Sequence, residues 1–552
     1  MSAHTGQSIK KLYSRSVRAL RRRNHEDALI LTQEIIDRQP DHAGAYAVQF
    51  SSLFKNKKFE LARLMGSKAA EHNPKSAFIL NNQACLELEK NNPAPAIDLL
   101  SSLIEQYGEH AQWVYNLALA YELIGQYEKA ISMYRLTLDQ NPQHEKAARK
   151  LSETSELLGH FEEATQSYDY WRLLASKNES SHCQFIHCSV KSNNISKSNL
   201  KLELNLWRDR FIPKGKRYEV EDLSNKKSIT IGFIYSGFDY EWLNKIVKPV
   251  AKQLAKNGDQ VIFYSAAPIE KIDDEISLVV TQKLSDANFA RRVREDQVDV
   301  LIDLCGMRKG NRQRALSLQL ASHQYAWLNH EGHFATSLVQ SLDEKLERTF
   351  IDLNDDNQES EKNRKWPSKT FAGLAGHNGL SFQVIKAWAA VLFQCPDWSI
   401  NIQTQRLSTE AHKVAEVNKA QVEKLLLQRF SAAGISRERV SFEQNLSFDK
   451  NTIVLDNFYN NDPIAIGTSI LSDATVVTLE GDFHPAKRST QLMHQFGFEK
   501  QVCKTPAQFI KRAVDLANKN EKLTPLKSKK KHQEKLTDLA SFTEKFRNTV
   551  IS

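Results

Sequence analysis

Glycine is scarce in this chain, at 20 of 552 residues, about half the usual share of roughly 7%. Few positions are therefore free to turn through a left-handed conformation or to let a ligand approach the bare backbone. Cysteine is scarcer still, and the six (Cys85, Cys183, Cys188, Cys305, Cys395 and Cys503) are irregularly spaced. That excludes a disulfide framework and fits a reducing compartment. No apolar run reaches the about 18 residues of a membrane span, and Met1 to Lys10 lacks the apolar core of a signal peptide. These absences predict a protein that stays in the cytoplasm and crosses no membrane.

A hydrophobic share of 41% and a charged share of 26% describe a soluble globular chain. Its length is enough for two to four domains, each with a core of its own. The net charge of +9 is modest for this size and reads as a solvated basic surface, with nucleic acid an unfavoured partner.

Residues 1–176 carry an internal repeat. Ala28, Ala62, Ala96, Ala130 and Ala164 recur every 34 residues, and Pro40, Pro74 and Pro142 keep the same period. In the fourth unit, Trp113, Leu117, Ala118, Tyr121, Gly125, Tyr127, Ala130 and Tyr134 alternate large and small side chains over two helices. Small residues let helices cross closely and aromatics fill the gaps. About five helix pairs of the tetratricopeptide type are expected, stacked into a solenoid whose groove takes a protein or peptide, or else serves as a spacer or dimer surface.

The period stops in 177–227, a helical linker. His182, Cys183, His187 and Cys188 lack the spacing of a metal site, and no metal is expected. Beyond it, buried strands alternate with helices. Ser228 to Tyr235, Gln260 to Tyr264 and Val298 to Leu304 read as strands of a lobe at 228–352; Thr370 to Leu374, Ser399 to Thr404, Val440 to Phe442 and Ile453 to Leu455 belong to a lobe at 369–504. The alternation implies two parallel, Rossmann-like sheets with a cleft between them. In the last of these units a strand, a polar turn from Asp456 to Pro463, a helix to Ser472 and a strand from Thr475 to Leu479 make a βαβ element, the type whose helix start holds phosphate. Two helices close the chain at 505–552, with Phe542, Phe546 and Val550 spaced to anchor the last on the first lobe. The basic run Lys527, Lys529, Lys530 and Lys531 reads as a solvated turn.

The repeats followed by LNLWRDRF, ITIGFIYSGF, LIDLCGMRKGNRQRALSLQLASHQYAWL, IVLDNFYNN and DFHPAKRSTQL resemble the O-linked N-acetylglucosamine transferases and their SPINDLY-like relatives, glycosyltransferases of the GT-B fold. The resemblance implies transfer of a sugar from a UDP-sugar to Ser or Thr of a protein held by the repeats, with no metal or other cofactor. The family's phosphate-binding positions are altered. Its histidine after the first strand is matched by Asp239, Tyr240 and Glu241, and its lysine near the start of the second lobe by Phe382; its His/Thr-Thr loop reads Asn461, Asp462, Pro463, Ile464, Ala465. Hydroxyls have become apolar, Pro463 removes an N–H donor, and Asp462 sets a negative charge against a diphosphate.

Two readings follow. In one, a diverged enzyme holds the phosphates with Arg488, Lys487, Ser489, Lys309, Arg312, Asn460 and Asn461, Arg488 standing out because it opens a helix where an anion is favoured. His330, Glu331 and His333, in place of the family's Gly-Tyr-Pro-Gly-Thr loop, are then the weak candidates for a general base. In the other, the chain is a catalytically degenerate relative that acts as a protein-binding scaffold.

Overall fold

The computed structural model describes residues 8–72, 76–192, 195–212, 221–236, 240–266, 273–307, 310–328, 339–346, 350–351, 367–375, 380–403, 412–443, 446–458, 461–481, 487–519 and 536–552. It divides into two compact units, 1–154 and 155–552.

The helices come in pairs: α1 and α2 (Ile9–Arg21, His25–Arg38), α3 and α4 (Ala43–Lys55, Phe59–His72), α5 and α6 (Ala77–Glu89, Pro93–Tyr107), and α7 and α8 (Ala111–Leu123, Tyr127–Gln140). A fifth pair is α9 and α10 (Glu145–Leu157, Phe161–Leu174), and the division between the units falls inside α9. The five period-setting alanines are all completely buried, as close helix crossings require. The turn inside each pair places one residue in the left-handed region at the same 34-residue interval: Arg23, Lys57, Asn91, Gly125 and Gly159. Only the last two are glycine, so in the first three turns L-residues carry that strain.

Helical pairing continues past residue 176 into α11 (Glu179–Lys191) and α12 (Lys197–Phe211). His182 Nε2 pairs with Glu203 at 2.8 Å, and Cys183 Sγ accepts from the Trp207 indole at 3.2 Å. Met307 of the first lobe joins their apolar cluster, so this pair packs against that lobe.

The first sheet contains β1 (Thr230–Tyr235), β2 (Gln260–Ser265), β3 (Ile276–Val280), β4 (Val300–Asp303), β5 (His323–Ala326) and β6 (Gln340–Ser341); the second contains β7 (Thr370–Leu374), β8 (Ser399–Gln403), β9 (Val440–Glu443), β10 (Ile453–Leu455), β11 (Thr475–Leu479) and β12 (Val502–Cys503). Their orders are β3-β2-β1-β4-β5-β6 and β12-β11-β10-β7-β8-β9, parallel throughout. Each is the doubly wound order in which connections reverse beside the first strand, leaving a crevice between β1 and β4 and another between β7 and β10. The helix that follows β1 starts at Tyr240 and passes through a π-turn at Leu243–Val247, a wider turn common near functional sites.

The last helix, Leu539–Ile551, lies on the first lobe as its spacing predicts. Phe546 meets Trp327 at a ring separation of 4.8 Å, and Arg547 clasps Asp259 at 2.8 and 3.1 Å. One apolar cluster runs from Ile231 and Phe233 through Phe350, Ile351 and Phe542 to Ile464, Ile466 and Val476 of the second lobe. The two lobes thus share core, and Gly467 permits it: a Cβ there would stand 2.8 Å from Ile351 Cδ1.

Candidate functional site

The second-lobe crevice opens at the ends of β7 and β10. Asp456, directly after β10, is completely buried. Its Oδ1 accepts from the Asn457 N–H at 2.8 Å, and its Oδ2 from Thr478 Oγ1 at 2.7 Å and Asn461 Nδ2 at 3.0 Å. Burial pushes this carboxyl up to about 6, the nearby Asp462 charge adding to the rise, while the Thr478 hydroxyl and the Asn457 N–H pull the other way. The crevice itself is bridged: Asn457 Nδ2 donates to the carbonyl of Ala375, just past β7, at 2.7 Å. Asn461 extends the network, donating to Asn457 O at 2.7 Å and accepting from the Ser489 N–H at 3.3 Å.

The helix Pro463–Leu471 starts where an anion would be received, and its first donors are already engaged. Asp462 is its N-cap, with Oδ1 accepting from Ile464 N at 3.0 Å and Ala465 N at 3.3 Å. An Asp at the cap followed by Pro at the first helical position is a strong helix start. Chain chemistry therefore fills this helix end with its own carboxylate. Ile464 and Ala465 are buried in the shared apolar cluster.

The first lobe repeats the arrangement at its own crevice. Asp303 ends β4 completely buried, accepting from Cys305 N at 2.9 Å, Gly306 N at 3.2 Å and Gln313 Nε2 at 2.7 Å. In both sheets the fourth strand thus delivers a buried carboxylate that ties down the turn after it.

Of the residues expected to hold phosphate, Arg488, Ser489 and Asn461 come together at the second crevice. Arg488 opens the helix Arg488–Gln495, and its guanidinium is buried, 4.5 Å from the centre of the Trp242 ring, with Nη2 donating to Leu328 O at 3.4 Å. It is directed at the first lobe. Lys487 precedes it, half-buried. Arg312 lies elsewhere, against the segment after the edge strand β3, donating to Thr281 O at 2.8 Å, Leu284 O at 3.0 Å and Asp286 at 3.1 Å while covering the Phe289 ring. Lys309, Asn460, His330, Glu331 and His333 lie outside the described residues, as do the lysines at 527 and 529–531. Phe382 stands half-exposed at the start of the helix Phe382–Gln394, with Lys386 Nζ 4.4 Å over its ring. Asp456, Thr478, Trp242 and Leu328 were not among the expected site residues; a buried Asp after a short apolar strand was the one signal for the first of them.

Among the described residues no three His, Cys, Asp or Glu side chains converge as a metal cage, and no helix is long and apolar enough to cross a membrane.

A tetratricopeptide-repeat family model matches residues 81–172. The chain superposes on a mutant of Thermobaculum terrenum O-GlcNAc transferase with a TM-score of 0.62 and 16% identity, over 86% of this chain and 96% of that one. The chain has the fold of an O-GlcNAc transferase. In sequence this transferase-like chain is 20% identical over 260 residues to SPINDLY of Hordeum vulgare and 20% over 277 residues to SPINDLY of Arabidopsis thaliana, both described as probable UDP-N-acetylglucosamine–peptide N-acetylglucosaminyltransferases. Those alignments take in 43% and 44% of this chain, and only 27% and 29% of the relatives. At the general level the likeness is to protein glycosyltransferases, with the repeat array expected of protein binding.

Proposed function

We propose that this chain is a catalytically degenerate relative of the protein glycosyltransferases, in which the repeats bind a polypeptide and the two-lobed transferase fold serves as a platform. The observation that carries this reading is the Asp462 carboxylate on the N–H groups of Ile464 and Ala465. A diphosphate leaving group needs free donors and positive potential where it departs. Here a fixed anion uses the donors, and apolar side chains stand beside it. The Asn457 bridge to Ala375 and the burial of Arg488 against Trp242 support the same reading.

The test is a thermal shift on the full chain with UDP, UDP-N-acetylglucosamine and other UDP-sugars. A ligand at a hundred times its Kd stabilises the fold by about 2.7 kcal/mol, several degrees in melting temperature. The expected result is no shift at millimolar nucleotide. A clear shift abolished by Arg488→Ala would overturn the reading and make the chain a diverged transferase acting from a UDP-sugar on Ser or Thr.

A further inference from the structure

The positive charge of this chain is unevenly placed. Between residues 8 and 70 there are thirteen Lys and Arg against six Asp and Glu, an excess of seven where the whole chain has nine. Helix α1 contributes Lys10, Lys11, Arg15, Arg18 and Arg21 with no acid of its own. The turns after α1 and α3, which occupy equivalent places one repeat apart, are both cationic. Arg21, Arg22 and Arg23 form the first, and Lys55, Lys57 and Lys58 the second, all six exposed. Glu60, the acid closest in sequence to the second turn, is held by Arg63 at 3.2 Å, and Asp27 beyond the first by Asn24 at 2.5 Å; Glu26 is the remaining neighbour. The third turn breaks the pattern, since Lys90 there pairs with Glu87 at 2.9 Å.

Directly beyond these turns lies an apolar cleft of about 400 Å³. Its walls are α2 and α4, with Leu29, Ile30, Leu61 and Met65, and its floor is α3, with Leu53 and Gln49. Ile30 is 57% exposed and Leu61 50%. Two large aliphatic side chains on facing helices, half in water over a hollow, are an unusual expense for a surface. Gln49 bridges to Gln33 at 3.3 Å inside the cleft, leaving the floor polar at one point only. The cleft thus lies between the second helices of two pairs, with the first helix of the later pair beneath them.

We infer that the first two repeats carry a docking site for an acidic peptide segment with an aliphatic or aromatic anchor: the anchor enters the cleft between α2 and α4, and flanking carboxylates meet the cationic turns. The size suits one or two large side chains, within the range of clefts that hold ligands. Cations around an apolar pocket give charge complementarity at the rim and burial at the centre, the division found in stable interfaces. A nucleic acid has no aliphatic group for the hollow, and a bilayer presents a flat face that cannot enter it. Both would use the cations and leave Ile30 and Leu61 uncovered.

The probe is a random 16-residue peptide library displayed on phage and selected on the full chain. Enriched peptides are synthesised with a fluorophore and titrated by anisotropy against the unaltered chain, Ile30→Glu with Leu61→Glu, and Lys55→Glu with Lys58→Glu. The expected outcome is enrichment of Asp and Glu around Leu, Ile or Phe. The first variant then weakens binding at least tenfold and the second at least threefold, with the second loss shrinking as salt shortens the reach of charge. All four positions are exposed, and Ile30→Ser with Leu61→Ser serves if the Glu pair lowers the melting temperature. Peptides without acidic bias, no enrichment, or equal binding by the variants would overturn the proposal. So would an oligothymidylate or a phosphatidylserine vesicle that binds at the same cations while no peptide does.

Discussion

The guanidinium of Arg488, at the start of a second-lobe helix, lies 4.5 Å from the centre of the Trp242 ring in the first lobe. With Nη2 on Leu328 O, this one side chain links the second lobe to two separate segments of the first. A desolvated Arg–Trp contact is worth about 2 kcal/mol, so a double-mutant cycle of Arg488→Leu and Trp242→Leu, read in thermal unfolding of the full chain, should give a coupling of roughly 1–2 kcal/mol. A coupling near zero would mean that the two side chains are neighbours without a working contact. Arg488→Lys should lose most of the coupling, because a compact ammonium does not stack as a planar guanidinium does.

Asp456 predicts a pH dependence with a definite sign. Its carboxyl is pushed up to about 6 in the folded chain, against about 3.9 in an unfolded one. The folded state therefore binds the proton more tightly, and the stability this gives is full below about pH 4 and is lost as pH rises to about 6. The span is about 3 kcal/mol. Asp456→Asn should flatten that part of the stability curve between pH 4 and 6. Thr478→Val, which removes a donor to the carboxylate, should lower stability at pH 7 by about 1–2 kcal/mol and move the midpoint of the loss upward. Curves that coincide for all three proteins would rule out Asp456 as the source.

Most of the fold could be read from local pattern, because buried parallel strands are unbroken apolar runs and the repeat announces itself by period. The strands that escaped are those lacking that pattern. β3 lies at a sheet edge with Leu278 and Val280 exposed, β5 opens on the polar pair His323 and Gln324, and β6 and β12 are two residues each. The site was less legible. Arg312 and Arg488 look alike in sequence, each a cation beside a helix start, yet one is held by the carbonyls of Thr281 and Leu284 and the other stacks across the lobes. Those partners come from distant parts of the chain, and no spacing rule names them. Asp462 was legible as a charge; that it caps its own helix follows from the Pro after it, a signal that outweighs its reading as a mere repulsive neighbour.

Gly159 offers a check on how the fifth repeat meets the second lobe. It sits at a φ of +72°, and a Cβ there would stand 2.4 Å from the carbonyl oxygen of Leu380, one residue before the Ser381 cap of the helix Phe382–Gln394. Gly434 has a similar φ of +82° with nothing within 4 Å of the added atom. Gly434→Ala should cost about 1 kcal/mol, the left-handed strain alone. Gly159→Ala adds a collision with backbone that cannot rotate away, and should cost at least twice as much in thermal unfolding. Equal effects would show that the loop is free to draw back from Leu380.

Asp462→Ser separates the charge at the helix start from its capping role. Serine caps nearly as well as aspartate, so stability should change by less than about 1 kcal/mol, with the introduced hydroxyl accepting from the first-turn N–H groups in place of the carboxylate. What disappears is the fixed negative charge. Two like charges about 4 Å apart repel by about 4 kcal/mol at the effective dielectric of a protein surface, and even a third of that is tenfold in affinity. Titration calorimetry with inorganic pyrophosphate and with UDP should therefore show tighter binding to the variant than to the unaltered chain by at least tenfold. The gain should persist when Lys487→Ala is added if the helix N–H groups are the receptor, and should vanish if that lysine is. No gain for either ligand would mean that Ile464, Ala465 and the Asn457 bridge to Ala375 close the site by packing, and that Asp462 serves only as a cap.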